Sequence, residues 1–256
     1  MCQLLGMNAN VPTEIRFSFE GFSRRGGATD HHRDGWGIAF FEGAGARLFI
    51  DSRATVESPV ADFVRSYPIH SLNVIAHIRR ATRGPVALVN THPFMRELWG
   101  RYWVFAHNGT LKEFSPRLQG RYRPVGQTDS ELAYCWILES LRRLFPRQQP
   151  PLTELFGALR DAARELAGFG VFNFLLSNGD ILFAHGSDNL WYLVRKAPFG
   201  SAHLVDEDMT VDFSTLNAPH ERIAIIATQP LTDNEAWVRF APGELKVFRQ
   251  GEAVPL

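Results

Sequence analysis

The chain has 256 residues, 27 Lys+Arg against 27 Asp+Glu, and 45% hydrophobic residues. These proportions fit a folded globular protein of one large or two small domains, and exclude a disordered or fibrous one. Zero net charge argues against a nucleic-acid partner, which calls for a basic excess, and no apolar run approaches the roughly 20 residues that cross a bilayer.

The N-terminus, Met1-Cys2-Gln3-Leu4-Leu5-Gly6, lacks the basic and apolar regions of a secretory signal. Cys2 and Cys135 cannot build a disulfide framework, so a reducing, cytoplasmic setting is expected. In chain order, a strand is predicted at residues 2–7. Ile15, Phe17, Phe19 and Phe22 follow in partly helical spacing, then a polar, glycine-bearing loop at 23–33, a candidate lid. Strands at 35–41 and 47–50 flank the turn Glu42-Gly43-Ala44-Gly45. Two more are predicted at 73–78 and 102–107.

Helical periodicity is clearest at 130–144, through Leu132, Ala133, Trp136, Ile137, Leu141 and Leu144, with Thr128 and Glu131 as a capping box. A second helix is predicted at 153–166. The last third is β-rich: 171–176 and 181–185 flank the hairpin signal Ser177-Asn178-Gly179-Asp180, and 190–195, 223–227, 237–240 and 245–249 continue the strands. Strands, two helices, then strands imply a layered α+β fold with antiparallel sheets, not a doubly wound parallel one.

Four segments carry candidate chemistry. Removal of Met1 makes Cys2 the N-terminus and puts a thiol (ordinary pKa about 8.5) and an α-amine (about 7.7–8.0) on one residue, a nucleophile with its own base; the bland reading is a small hydrophobe opening an edge strand. In the run from Ala76 to Gly84 a strand enters a cationic turn where Arg79 can fork a carboxylate, although charge also guards strand edges. Asn108-Gly109 is either a hairpin turn or a pair of oxyanion donors. Asp129 is a helix-capping acid, a partner for an ammonium, or both. The adjacent His31 and His32 with Asp34 lack zinc-site spacing, so no metal is expected. Cys135 reads as core.

Taken together, Cys2 behind the initiator Met, Asp34-Gly35-Trp36-Gly37-Ile38-Ala39, His77-Ile78-Arg79-Arg80-Ala81-Thr82, Thr91-His92-Pro93-Phe94, His107-Asn108-Gly109 and Thr128-Asp129-Ser130-Glu131 resemble the glutaminase domain of class II glutamine amidotransferases, which are N-terminal nucleophile hydrolases. Ala227-Thr228-Gln229-Pro230-Leu231 and Ala241-Pro242-Gly243-Glu244-Leu245 extend the likeness over nearly the whole chain, so residues 1–256 are expected to form one such domain.

The resemblance implies an αββα sandwich, Cys2 as nucleophile with its α-amine as base, and Asn108 and Gly109 as the oxyanion hole. It further implies Arg79 on the substrate α-carboxylate, Asp129 on the α-ammonium, Thr82 in the binding loop and His92 lining the pocket. Glutamine or a γ-glutamyl compound is the implied substrate, without cofactor. The domain either works alone, on glutamine or a γ-glutamyl metabolite, or serves a synthase partner in trans; a non-catalytic binding protein keeping the fold is the remaining alternative. Where many such domains carry Trp and His, this chain has Arg80 and Arg83, which favours a more anionic substrate than glutamine.

Overall fold

The structure, a computed structural model, describes residues 2–256. In chain order its elements are β1 (Gln3–Glu14), α1 (Arg16–Arg24), β2 (Trp36–Glu42), β3 (Gly45–Asp51), α2 (Pro59–Ser66), β4 (His70–Ile78), β5 (Phe94–Leu98), β6 (Arg101–Leu111), α3 (Asp129–Leu144) and α4 (Leu152–Ala167). The C-terminal part adds β7 (Gly170–Ser177), β8 (Ile181–Gly186), β9 (Trp191–Lys196), β10 (Ser201–His203), β11 (Thr210–Asp212), β12 (Arg222–Ala227), β13 (Val238–Arg239), β14 (Glu244–Arg249) and β15 (Glu252–Val254).

Two antiparallel sheets face each other. One has seven strands in the order β13-β9-β12-β1-β4-β2-β3, the other six in the order β15-β14-β8-β7-β6-β5. The period-2 alternation of each strand decides which side chains go where. On β1, Leu5, Met7 and Ala9 turn outward onto α1 and α2, joined by Ile38, Val74 and Ile225 from neighbouring strands. Leu4 turns inward and meets Ile75, Ala106, Leu175 and Ile226 between the sheets. On β6, Trp103 and Phe105 turn outward onto α3 and α4. Three apolar layers between four layers of structure give the αββα sandwich.

The predicted helices correspond to α3 and α4. Thr128 caps α3 by accepting from Glu131 N–H (3.2 Å). The return half of the capping box is absent: Glu131 accepts instead from Val125 and Gly126 N–H and from Arg96, and so pins the loop that leads into the helix. Helix α2 was not visible in the periodicity. It has eight residues, buries only Ala61 and Val64, and is started by the Ser58 cap and Pro59.

Strands β1, β4 and β6 outrun their predicted ends. For β6 this decides between the two readings of Asn108-Gly109: the strand continues to Leu111, paired with β7 through Asn108↔Asn173 and Gly109↔Phe172, so the dipeptide is not a turn. The candidate lid at 23–33 is tied down. Arg25 is 4% exposed, pairs with Asp206 at 2.7 Å and donates to the Gln229 and Pro230 carbonyls.

Candidate active site

Strands β1 and β4 are antiparallel, with Gln3 opposite Ile78. The start of one therefore lies beside the end of the other, and Cys2 meets the residues that follow β4. Arg80 N–H donates to Cys2 Sγ (3.2 Å), and Cys2 S–H donates to the Arg80 carbonyl (3.4 Å). The thiol is bracketed by the backbone of one residue. Burial pushes its pKa up, while the Arg80 N–H and the Arg79 charge pull it back. Met1 lies outside the described residues.

Cys2, Leu4, Asn108 and Thr228 share the inward-facing parity of their strands. The Thr228 hydroxyl accepts from Leu4 N–H (2.9 Å) and from the Asn108 side-chain amide (3.3 Å), and Thr228 N–H returns to the Leu4 carbonyl (3.1 Å). One hydroxyl thus ties the cysteine-bearing strand of one sheet to the asparagine of the other. Asn108 is fully buried, and among the described residues its second amide N–H is uncommitted and its Oδ1 has no partner. Behind it, Asn173 donates to the Asn108 carbonyl (3.1 Å) and is itself fixed by Asp188 (2.7 Å). Thr228, Asn173 and Asp188 also build the site but carry no local sequence signal beyond Thr228 falling in the 227–231 segment of the family likeness.

Arg79 is 3% exposed. Its Nη1 donates to the Pro85 (3.1 Å) and Asp34 (3.5 Å) carbonyls, and its Nη2 to those of Arg83 (2.8 Å) and Gly84 (3.1 Å). Four of five N–H groups are therefore spent on the backbone, and the guanidinium clasps its own loop. Asp34 supports the same turn by accepting from Ala81 N–H (2.7 Å), which accounts for the acid ahead of Gly35-Trp36-Gly37. Gly37 is required there because a Cβ would collide with the His92 carbonyl. Thr82 is exposed and its hydroxyl reaches that of Thr110 at 3.1 Å, joining the loop to β6. Asp129, at the α3 N-terminus, accepts from Leu111 N–H (2.6 Å), two residues beyond Gly109. Cys2, Arg79, Thr82, Asn108, Gly109 and Asp129 are thereby linked by a continuous set of contacts. His92 packs, tilted, against His77 (4.2 Å between centroids) and Phe94 (4.4 Å), with neither ring nitrogen partnered among the described residues. Among the described residues no three His, Cys, Asp or Glu side chains form a metal-holding group.

Three buried histidines sit beneath these residues. His77 Nε2–H donates to the His107 carbonyl (3.1 Å) across the two sheets. His107 Nε2–H donates to the Val171 carbonyl (3.1 Å), which leaves Nδ1 to accept from Ser130 (2.8 Å). Burial holds all three neutral, with neighbouring positive charge adding to the effect: His77 falls to about 3, His92 well below the ordinary value, and His107 below it despite Asp129. The folded pKa values are depressed, so below about pH 6.5 the unfolded chain binds more protons, for His77 down to about pH 3. Stability is complete above about pH 6.5 and falls with acidification, for His77 by up to about 1.4 kcal/mol per pH unit. Thermal melts from about pH 7 to about pH 5 are expected to show this fall, with a shallower slope for His77→Gln, which keeps a donor N–H in place of Nε2.

The sequence profile for class II glutamine amidotransferases matches residues 1–256. The chain belongs to the class II glutamine amidotransferases. A member of this family, YafJ of Escherichia coli (strain K12), bears a glutamine amidotransferase name and is 52% identical over 254 residues, 99% of this chain and 100% of the relative. A crystal structure of a Pseudomonas aeruginosa protein, also titled as a glutamine amidotransferase, matches with 46% identity, a TM-score of 0.80 and full coverage of both chains. The glutamine phosphoribosylpyrophosphate amidotransferase of Bacillus subtilis shares the fold at 14% identity and a TM-score of 0.58, over 99% of this chain and 48% of that one. The amidotransferase family and the αββα fold that the sequence led us to expect are therefore both established.

Proposed function

We propose that the chain, as one domain over 1–256, hydrolyses the side-chain amide of glutamine or of a γ-glutamyl compound through Cys2 after loss of Met1. The observation that carries this reading is the Thr228 hydroxyl, which joins the strand of Cys2 to the side-chain amide of Asn108. Nucleophile and oxyanion donor then face one reacting carbon.

The Cys2 α-amine takes the thiol proton and Sγ attacks the amide carbon. The oxyanion is held by the free N–H of the Asn108 side chain and by Gly109 N–H. Such donors are worth about 10²–10³ in rate each. The carbon–nitrogen bond breaks as the α-ammonium protonates the departing amine. Water, deprotonated by the same amine, hydrolyses the γ-glutamyl thioester, and glutamate leaves with the thiol restored. Arg79 exchanges loop carbonyls for the α-carboxylate, a stronger acceptor because it is charged. Asp129 uses its remaining oxygen on the α-ammonium. Thr82 closes the binding loop, and His92 packs beneath it. No metal or cofactor enters these steps. Ammonia made from glutamine would serve a separate synthase; an amine made from a γ-glutamyl metabolite needs no partner.

Met-free protein is expected to release glutamate from glutamine or a γ-glutamyl amide, and Cys2→Ala to lower that rate at least about 10³-fold. Cys2→Ala turnover at the parent rate overturns the reading.

A further inference from the structure

Arg80 stands out once its neighbours are placed. Its backbone N–H and carbonyl both hold the Cys2 sulfur, at 3.2 and 3.4 Å. Its side chain is exposed and, among the described residues, has no charged or hydrogen-bonding partner. Arg83, also exposed, reaches only the Leu111 carbonyl at 3.4 Å, close to Asp129. The two exposed arginines are therefore anchored at different ends of the reacting centre: Arg83 toward the residues proposed for the α-carboxylate and α-ammonium, Arg80 by its backbone on the sulfur.

The surroundings carry the same sign. The loops 80–90 and 112–128 frame the site and contain six cations against the single acid Glu113, in a chain whose net charge is zero. A cleft lined by one sign of charge concentrates counter-charged ligands and raises their rate of capture. Gly126 packs on the Val89 carbonyl, and Gln127 N–H donates to Asn90 (2.8 Å), so the two loops form a continuous rim.

We propose that Arg80 forms an anion subsite on the leaving-group side, so that the substrate is a γ-glutamyl compound whose departing amine bears a carboxylate, such as a γ-glutamyl amino acid or peptide. This rests on the hydrolysis proposed above and adds the chemical class of the leaving group. The reaction balances as a hydrolysis: the γ-glutamyl carbon–nitrogen bond breaks, water supplies the hydroxyl to glutamate, and the amino acid leaves with the proton. Ammonia offers Arg80 nothing to hold. A carboxylate on the amine offers a charge-assisted hydrogen bond.

The test compares γ-glutamylglycine with γ-glutamylmethylamide, which differ by that carboxylate, on Met-free protein. The expected result is a kcat/KM ratio of about 10 or more in favour of γ-glutamylglycine. It should fall toward 1 in Arg80→Ala and again at about 1 M salt, where screening acts within about 3 Å. Arg147→Ala, an exposed cation on the α3–α4 connector, serves as the control and keeps the parent ratio. Equal turnover of both compounds by the parent protein overturns the subsite while leaving the Cys2 reading intact. So does a ratio that Arg80→Ala does not change, as expected if the basic rim serves an acidic protein partner instead. Turnover of neither compound overturns both proposals.

Discussion

A chain that keeps a residue ahead of Cys2 is expected to lose amide hydrolysis by about 10²–10⁴-fold, the usual worth of a positioned general base. The loss follows from the environment of the thiol. Burial raises its pKa, and among the described residues its hydrogen-bonding neighbours are the N–H and carbonyl of Arg80, neither of which can take a proton. The buried histidines are poor substitutes: burial lowers His77 to about 3 and His92 well below the ordinary value, so neither ring readily takes a proton. An α-amine on Cys2 itself supplies a base at the right place, and a peptide bond there removes it. A bulky residue inserted after Met1 blocks processing and gives the comparison. Its melting temperature should match the parent, because β1 begins its pairing at Gln3, opposite Ile78. A blocked chain that turns over at the parent rate places the base elsewhere.

Gly109→Ala is expected to cost at least about 3 kcal/mol, as overpacking plus loss of a buried hydrogen bond. An alanine Cβ would collide with the Val171 carbonyl and come 2.7 Å from His107 Nε2, the group that donates to that same carbonyl. Relief requires β6 and β7 to separate where Asn108 is presented, so activity falls with stability. Gly157→Ala in α4 is the matched control. A Cβ there meets nothing within 4 Å, and the helix should gain up to about 1 kcal/mol. Denaturant titration of both variants measures the difference.

The long elements were legible because burial is one-sided and periodic. Helices α3 and α4 and the β7–β8 hairpin came directly from apolar spacing and turn residues. Helix α2 did not, since two buried residues make no pattern. Asn108-Gly109 was ambiguous for a local reason: the pair favours a tight turn, and only the approach of the Val171 carbonyl shows why a glycine lies inside a strand instead.

In the site, Cys2, Asn108 and Asp129 could be named because their chemistry is carried by side-chain type. The clasp of Arg79 on four carbonyls and the hub at Thr228 could not. Backbone acceptors leave no mark in a sequence, and Thr228 is 224 positions from the Leu4 amide it accepts from. The same limit hid Asn173, whose role is to hold the Asn108 carbonyl from the next strand.

The central claim is that Cys2 becomes transiently acylated. Rapid acid quench of Met-free protein turning over a γ-glutamyl substrate, followed by peptide mass measurement, tests it most directly. The account predicts one γ-glutamyl group on the peptide that begins with Cys2 and none on the peptide containing Cys135, whose thiol is buried and pushed up to about 12. Acylation at another residue, or steady turnover with the Cys2 peptide unmodified while a known thioester enzyme is trapped under the same quench, would contradict it.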